Sequence, residues 1–405
     1  MCDLENRVAS APAREVGGEF AQPLAEDFLI PSPRRVPRAP GTATAHYTAS
    51  GRQALSLIAR ALRDLGVRRL GMPNYFCWTM AEPLELEGLG IDYLKVGEDL
   101  LPEPAHVAAY GRGSSQPSAV LVATTFGNQP GEDLLRALEA FTARGGYVIG
   151  DLTHDVPSYW QLPEARPYFD EPHSPRLLDR QLPAARPRWA NFALASLRKW
   201  VPIPDGAWAL GENLPASGAR GAIDETASSL AWRRIQTGEN NAAEDAVDAA
   251  ISPVSISTRA AGILCRVAWE GIARARRANA RTLARCLAEA GVTGGARAGG
   301  APAGGSQAES SARSKIPRII STGCYALALS WPEGAASAAA ASAALAEEGI
   351  YTPAYWPPLT ASPAWPGVLA LPIDQRYGAA DMAVVARAVA KVRASLPSRR
   401  HSRED

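Results

Sequence analysis

Apolar side chains recur along the first half of the chain with two alternating periods. From Gly51 to Leu65 they fall at Ala54, Ile58, Leu62 and Leu65, one face of a helix that opens on Ser50-Gly51. Arg69 to Met72 predicts a short strand stopped by Pro73-Asn74, Met80 to Glu87 a helix that accepts Pro83 only in its first turn, and Ile91 to Val96 a strand. The Val-Leu-Val run within Ser118 to Thr125 predicts a buried strand, Asp133 to Arg144 a helix, and Tyr147 to Gly150 another strand. Strand and helix alternating at this spacing imply crossover units, hence an α/β fold with a mostly parallel sheet covered by helices. Ligands of such sheets bind at the carboxyl ends of the strands.

The pattern changes on either side of this block. Residues 1–45 are rich in proline and arginine, as in Pro31-Ser-Pro-Arg-Arg-Val-Pro-Arg-Ala-Pro40, and predict an extended amino-terminal arm. Residues 46–250 are expected to form the large domain, and residues 251–398 a smaller carboxyl-terminal α+β domain. In the latter, Ile263 to Leu287 predicts one long helix, Arg318 to Ser330 holds a strand and Ala335 to Glu348 predicts a helix. Asp381 to Val392 predicts a closing helix with Met382, Val385, Val389 and Val392 on one face. The Gly/Ala/Ser-rich residues from about 292 to 316 read as a flexible insertion. Their Gly-Gly-Ala-Arg-Ala-Gly-Gly run follows a helix rather than a strand, so low complexity explains it better than a phosphate loop.

Charge and composition narrow the function. The 405 residues carry 42 Lys and Arg against 41 Asp and Glu, so no net field draws the chain to nucleic acid or to an anionic membrane. Arg274, Arg277, Arg281 and Arg285 form a basic stripe that reads as a solvated helix face. No apolar run approaches the roughly 18 residues of a membrane span, and Met1 to Arg7 is polar without an apolar block after it, so insertion and secretion are disfavoured. The 5 cysteines are scattered without a Cys-x-x-Cys pair and the 5 histidines lack ligand spacing; no metal centre is expected, and the cytoplasm is the expected compartment. Lysine is rare, standing only at Lys95, Lys199, Lys315 and Lys391, so chemistry that needs an amine has few candidates.

Three short segments carry groups that one cofactor would need together. Ser50-Gly51-Arg52 begins a helix, where orphan N–H groups and the helix dipole attract phosphate, although the same residues also serve as a simple cap. Asp151 stands at the carboxyl end of a strand with His154 three residues on; the pair either holds a ring nitrogen protonated or caps a turn and lines a pocket wall. Lys199 follows the strand-like Phe192 to Ala195, in a loop whose apolar neighbours would desolvate its amine and lower its pKa. The other three lysines read as surface residues. Phosphate cradle, strand-end carboxylate and loop lysine, in that order, are what pyridoxal phosphate requires.

In these residues and their order the chain resembles the fold-type-I pyridoxal phosphate enzymes, specifically a divergent branch of the DegT-like sugar aminotransferases. The resemblance runs from about Glu15 onward. Ser50-Gly-Arg-Gln-Ala-Leu55 is similar to the family's helix start, Pro73-Asn-Tyr-Phe-Cys-Trp-Thr79 to its ring-stacking segment, and Thr125-Phe-Gly-Asn-Gln-Pro130 to its strand exit. Gly150-Asp-Leu-Thr-His154 is similar to its Glu-Asp-Ala-Ala-Gln/His motif, Ser196-Leu-Arg-Lys199 to its lysine motif, and Leu369-Ala-Leu-Pro-Ile-Asp374 to its ending.

By that resemblance Lys199 is the Schiff-base lysine and proton carrier, Asp151 the partner of the pyridine nitrogen, and His154 a contact on the ring-hydroxyl side. Gly51 and Arg52 are expected to bind phosphate through backbone groups, with Ser196 adding a hydroxyl, and Phe76, Cys77 or Trp78 to cover the ring. Tyr355, Trp356 and Arg376 are expected to orient substrate, Arg376 as a carboxylate partner. Pro202-Ile-Pro-Asp-Gly206 and Ser255-Ile-Ser-Thr-Arg259 depart from the family's Thr-Gly-Glu-Gly-Gly and Asn-Tyr-Arg segments, which touch the sugar nucleotide or the partner subunit in relatives. The resemblance implies a homodimeric aminotransferase that moves an amino group from an amino acid donor to a keto substrate, either a keto sugar or an intermediate of specialised metabolism. The alternatives are elimination, decarboxylation or other carbanion chemistry on the same cofactor, and a non-catalytic scaffold of the same fold.

Overall fold

The structure, a computed structural model, describes residues 16–17, 24–29, 45–159, 186–215, 252–293, 316–321, 323–352 and 367–396. Tyr355, Trp356, most of the 1–45 arm and residues 294–315 of the expected insertion lie outside the described residues. In chain order the strands are β1 (Val16–Gly17), β2 (His46–Thr48), β3 (Arg69–Pro73), β4 (Gly90–Leu94), β5 (Ala119–Ala123) and β6 (Tyr147–Asp151). They continue with β7 (Phe192–Ser196), β8 (Ala207–Leu210), β9 (Arg318–Ile319), β10 (Ala326–Trp331), β11 (Ile350–Tyr351) and β12 (Gly367–Pro372). Helix α1 (Gly51–Asp64) lies between β2 and β3 in the chain, and α2 (Ala81–Leu86) between β3 and β4.

The chain divides into two compact units, one of Phe20–Arg274 with Thr322–Tyr325, the other of Met1–Glu19, Ala275–Ser321 and Ala326–Asp405. In the larger unit a seven-stranded sheet runs in the order β2-β8-β7-β6-β5-β3-β4. β7, β6, β5, β3 and β4 are parallel, while β8 and β2 add antiparallel at one edge. Val120, Leu121 and Val122 of β5 are wholly buried, as a continuous apolar strand covered on both faces requires. α1 packs on β2, β7 and β8. Ser50 starts it by accepting the Gln53 amide, Leu55, Leu57, Ile58 and Leu62 bury its apolar stripe, and Gly66, at φ +87°, releases the chain behind it.

Two pieces of this unit differ from the sequence pattern. β2 (His-Tyr-Thr) and β8 (Ala-Trp-Ala-Leu) are too short to carry a period of their own; they exist because β7 offers its free edge to Ala207–Leu210, which in turn pairs with His46–Thr48. The expected single helix from Ile263 to Leu287 is broken into Thr258–Leu264 and Trp269–Glu289. At the break Ala268 donates its amide to the Phe28 carbonyl at 2.8 Å and Val267 bridges Leu29, so a segment from the start of the chain takes up the backbone. The first of these helices also belongs to the larger unit, although residues from 251 onward were expected in the smaller one. Its Ala260 and Leu264 pack in one apolar cluster with Trp200, Trp208 and Trp269.

The smaller unit has a three-stranded antiparallel sheet, β12-β10-β9, so the region expected to hold one strand is a hairpin. Helices Ala335–Glu347 and Ala379–Ser395 cover it, and Met382, Val385, Val389 and Val392 face its core as the periodicity implies. Arg274, Arg277, Arg281 and Arg285 are exposed, whereas the intervening Arg276 is buried and donates to Gln375 Oε1 at 2.7 Å. β1 pairs with β11, and the Tyr377 hydroxyl accepts the Gly17 amide at 2.7 Å and donates to its carbonyl at 3.2 Å. Gly17 adopts φ +100°, and a side chain there would run into the Tyr351 carbonyl. Among the described residues no helix is long and apolar enough to cross a membrane.

Candidate active site

β5, β6 and β7 are parallel neighbours, so their carboxyl ends share one edge of the sheet. β8 begins there, since Ser196 pairs with Ala207, and β2 ends there, since Thr48 pairs with Ala207 as well. Helix α1 starts shortly after Thr48, which brings its amino terminus to the same edge. A Cβ added to Gly51 would lie 3.4 Å from the Ser196 Cβ, so the helix start and the end of β7 are in contact. The hydrogen-bond ladder of α1 begins with Ala54 N to Ser50 O, and the Ser50 hydroxyl takes the Gln53 amide. The Gly51 and Arg52 amides precede that ladder at the positive end of the helix.

Asp151 closes β6 and is buried. Its Oδ1 accepts the Thr153 amide at 2.9 Å. Burial pushes the Asp151 carboxyl above its ordinary value, while the amide and the nearby hydroxyl of Thr153 and the positive charge of Lys199 pull it the other way. The same Thr153 hydroxyl accepts the Ser196 amide at 3.1 Å, and the Thr153 carbonyl accepts the Trp200 indole N–H at 2.7 Å. The turn after β6 therefore reaches both ends of the segment that carries Lys199.

His154 is buried with Nδ1 accepting the Phe126 amide at 3.1 Å. A backbone amide can only donate, so Nδ1 is unprotonated and the hydrogen of the neutral ring resides on Nε2. The ring stacks on Tyr325, with centroids 3.9 Å apart and planes 9° from parallel, and on Phe126 at 5.7 Å. Phe126 holds φ +56°, a left-handed backbone rare for an aromatic residue, in the exit turn of β5. Gly127 and Gly323 approach so closely that a side chain on either would strike the other's backbone, which seats Tyr325 against the site.

Lys199 lies in the turn after β7 and is exposed. Its neighbours Leu197, Trp200 and Val201 are buried, so the apolar residues that were expected to desolvate the amine turn inward and leave it outward. The loop returns to the sheet at Gly206, whose carbonyl accepts the Leu197 amide at 2.9 Å and whose amide donates to the Ala49 carbonyl at 2.7 Å. Asp205 beside it is fully buried and accepts the Ser257 amide at 3.0 Å. Burial raises its pKa against the opposing Ser257 hydrogen bonds and the Arg198 charge.

The other expected site residues have the following surroundings. The Arg52 guanidinium is paired with Glu82 of α2, which leaves its backbone, not its side chain, for an anion. Phe76 is buried and stacked on Tyr93 at 5.5 Å, so one face of its ring is taken. Cys77 is half-buried with Sγ 3.1 Å from the Thr79 hydroxyl, and the Trp78 side chain lies outside the described residues. The Arg376 guanidinium, expected to hold a substrate carboxylate, is clasped by both oxygens of Asp374 at 2.8 and 2.9 Å. The chain itself supplies that carboxylate. Thr153, Phe126 and Tyr325 are not marked as site residues by the sequence; the one visible signal is Thr153 standing where the resembled motif has alanine.

No protein-family model and no curated protein matches the chain. Its fold is that of the fold-type-I pyridoxal phosphate transferases, for solved aminotransferases of the DegT type superpose on most of its length. Helicobacter pylori PseC, an aminotransferase involved in the biosynthesis of pseudoaminic acid, matches 95% of this chain and 100% of its own with a TM-score of 0.58 at 10% identity. Spr1654 of Streptococcus pneumoniae, solved in a PLP form, covers 92% of this chain and 100% of its own with a TM-score of 0.55 at 11% identity. A DegT DnrJ EryC1 StrS aminotransferase from Brucella abortus covers 86% of both chains with a TM-score of 0.51 at 14% identity.

Proposed function

We propose that the chain is a pyridoxal phosphate-dependent aminotransferase acting on small-molecule substrates. The observation that carries this reading is that a buried strand-end carboxylate, a helix amino terminus and a lysine loop are tied together at one sheet edge through Thr153, Ser196 and Gly51. The donor set fits the cofactor. Amides of Gly51 and Arg52 with the Ser196 hydroxyl suit its phosphate, and Asp151 offers an anion to its ring nitrogen. A binding-only fold would have no use for a carboxylate that burial disfavours.

Bound pyridoxal phosphate supplies an electron-withdrawing ring that stabilises negative charge beside the substrate nitrogen. Asp151 keeps the proton on the ring nitrogen. His154 presents Nε2–H as a donor, with its ring held flat by Tyr325 and Phe126. Lys199 Nζ would hold the cofactor and would carry the proton taken from the substrate carbon; exposure of this residue lets substrate reach it. The keto substrate is a keto sugar or an intermediate of specialised metabolism, and the enzyme works as a homodimer in the cytoplasm, a compartment that suits the free thiols of Cys77, Cys265, Cys286 and Cys324.

The test is the visible spectrum of the purified protein titrated with pyridoxal phosphate and then with glutamate and other amino acids. A band that an amino donor converts to the pyridoxamine form supports aminotransfer. A band that no donor converts moves the assignment to elimination or decarboxylation, and no band at all overturns it.

A further inference from the structure

Thr153 spends every polar group it has on the site. Its amide donates to Asp151 Oδ1 at 2.9 Å, its hydroxyl oxygen receives the Ser196 amide at 3.1 Å, and its carbonyl receives the Trp200 indole at 2.7 Å. Ser196 and Trp200 flank Lys199 on either side. Trp200 is fully buried and packs edge-on to Trp269 at 6.4 Å, so the far end of the loop is fixed to the core. Alanine, the residue of the resembled motif at this position, could supply the amide and the carbonyl but not the hydroxyl.

We propose that Thr153 is a positioning residue: its amide holds Asp151 and its hydroxyl holds the strand end that leads to Lys199, so that the carboxylate and the amine are presented to one ring at a fixed separation. Thr153 is suited to this because its hydroxyl oxygen accepts the amide that ends β7 while the amide of the same residue donates to the carboxylate. Without the hydroxyl the part-buried Ser196 amide loses its acceptor, and the loop gains freedom at its attachment to the sheet. Cofactor affinity then falls because ordering the loop is left to the cofactor itself. This role rests on the cofactor reading above for its effect on binding, but not for its effect on the loop.

Thr153→Val keeps the branched shape and removes the hydroxyl, whereas Thr153→Ser keeps the hydroxyl and removes a methyl group. The dissociation constant for pyridoxal phosphate is expected to rise about tenfold in the valine variant, the weight of one buried hydrogen bond, and to stay within about twofold in the serine variant. In the cofactor-free protein, amide exchange of the 192–200 segment is expected to quicken in the valine variant alone. Should the valine chain not accumulate, Thr153→Ala against Thr153→Ser carries the same comparison. Valine and serine variants that match in affinity and in exchange would overturn the role of Thr153 while leaving the cofactor assignment standing. Failure of the unsubstituted protein to bind pyridoxal phosphate would overturn the cofactor assignment instead, and the exchange comparison would still decide whether the hydroxyl holds the loop.

Discussion

Asp151 is held in a position that a stable fold would not choose for a carboxylate. Burial raises its pKa, so the folded state binds the proton more tightly than the unfolded chain and loses stability as pH rises through that raised value. Asp151→Asn keeps the acceptor for the Thr153 amide and removes the buried charge. In the cofactor-free protein it is expected to melt above the unsubstituted chain at pH 7, with the gap closing as pH falls to the ordinary carboxylate range; aminotransfer activity is expected to drop by about 100-fold or more. Thermal melts across pH and a turnover assay check the two halves, and an asparagine variant less stable at pH 7 would show that the charge is compensated. Asp151 and Lys199 are legible in the sequence because each stands just beyond an apolar strand run. The hub between them is not, because Thr153 meets Ser196 and Trp200 from 43 and 47 residues away.

At the scale of elements, the site depends on where α1 starts. Ser50 fixes that start by taking the Gln53 amide, and Gly51 lets the first turn come against Ser196. Ser50→Ala is expected to cost about 1 kcal/mol in urea unfolding and to weaken pyridoxal phosphate binding, since the fraying turn carries the amides proposed to hold the phosphate. Unchanged affinity with the stability loss intact would place the phosphate elsewhere. The helices and strands of the parallel sheet can be read from periodicity because each buries its own continuous face. β8 cannot, since its residues, Ala207–Leu210, carry no period and form a strand by pairing across to β7 and β2. The helix break at Cys265–Ala268 is hidden for the same reason, its cause lying at Phe28 and Leu29.

Across the whole molecule, the fold is shared with aminotransferases of the DegT type at 10% to 14% identity, which fixes the scaffold and leaves the chemistry to be argued from the site. Gly51, Asp151, Thr153, His154, Ser196 and Lys199 all belong to the larger unit, and the short return of Thr322–Tyr325 adds Tyr325 to them. The departures in Pro202–Gly206 build an anchored loop through Asp205 and Gly206, so this chain closes its lysine turn with its own contacts. Everything proposed for the site turns on Lys199 holding the cofactor. Loading the protein with pyridoxal phosphate, reducing it with borohydride and mapping the modified peptide by mass spectrometry puts that assignment to the test. Stoichiometric modification at Lys199, abolished by Lys199→Ala, is the expected result; modification spread over Lys95 and Lys391, or none at all, would contradict it.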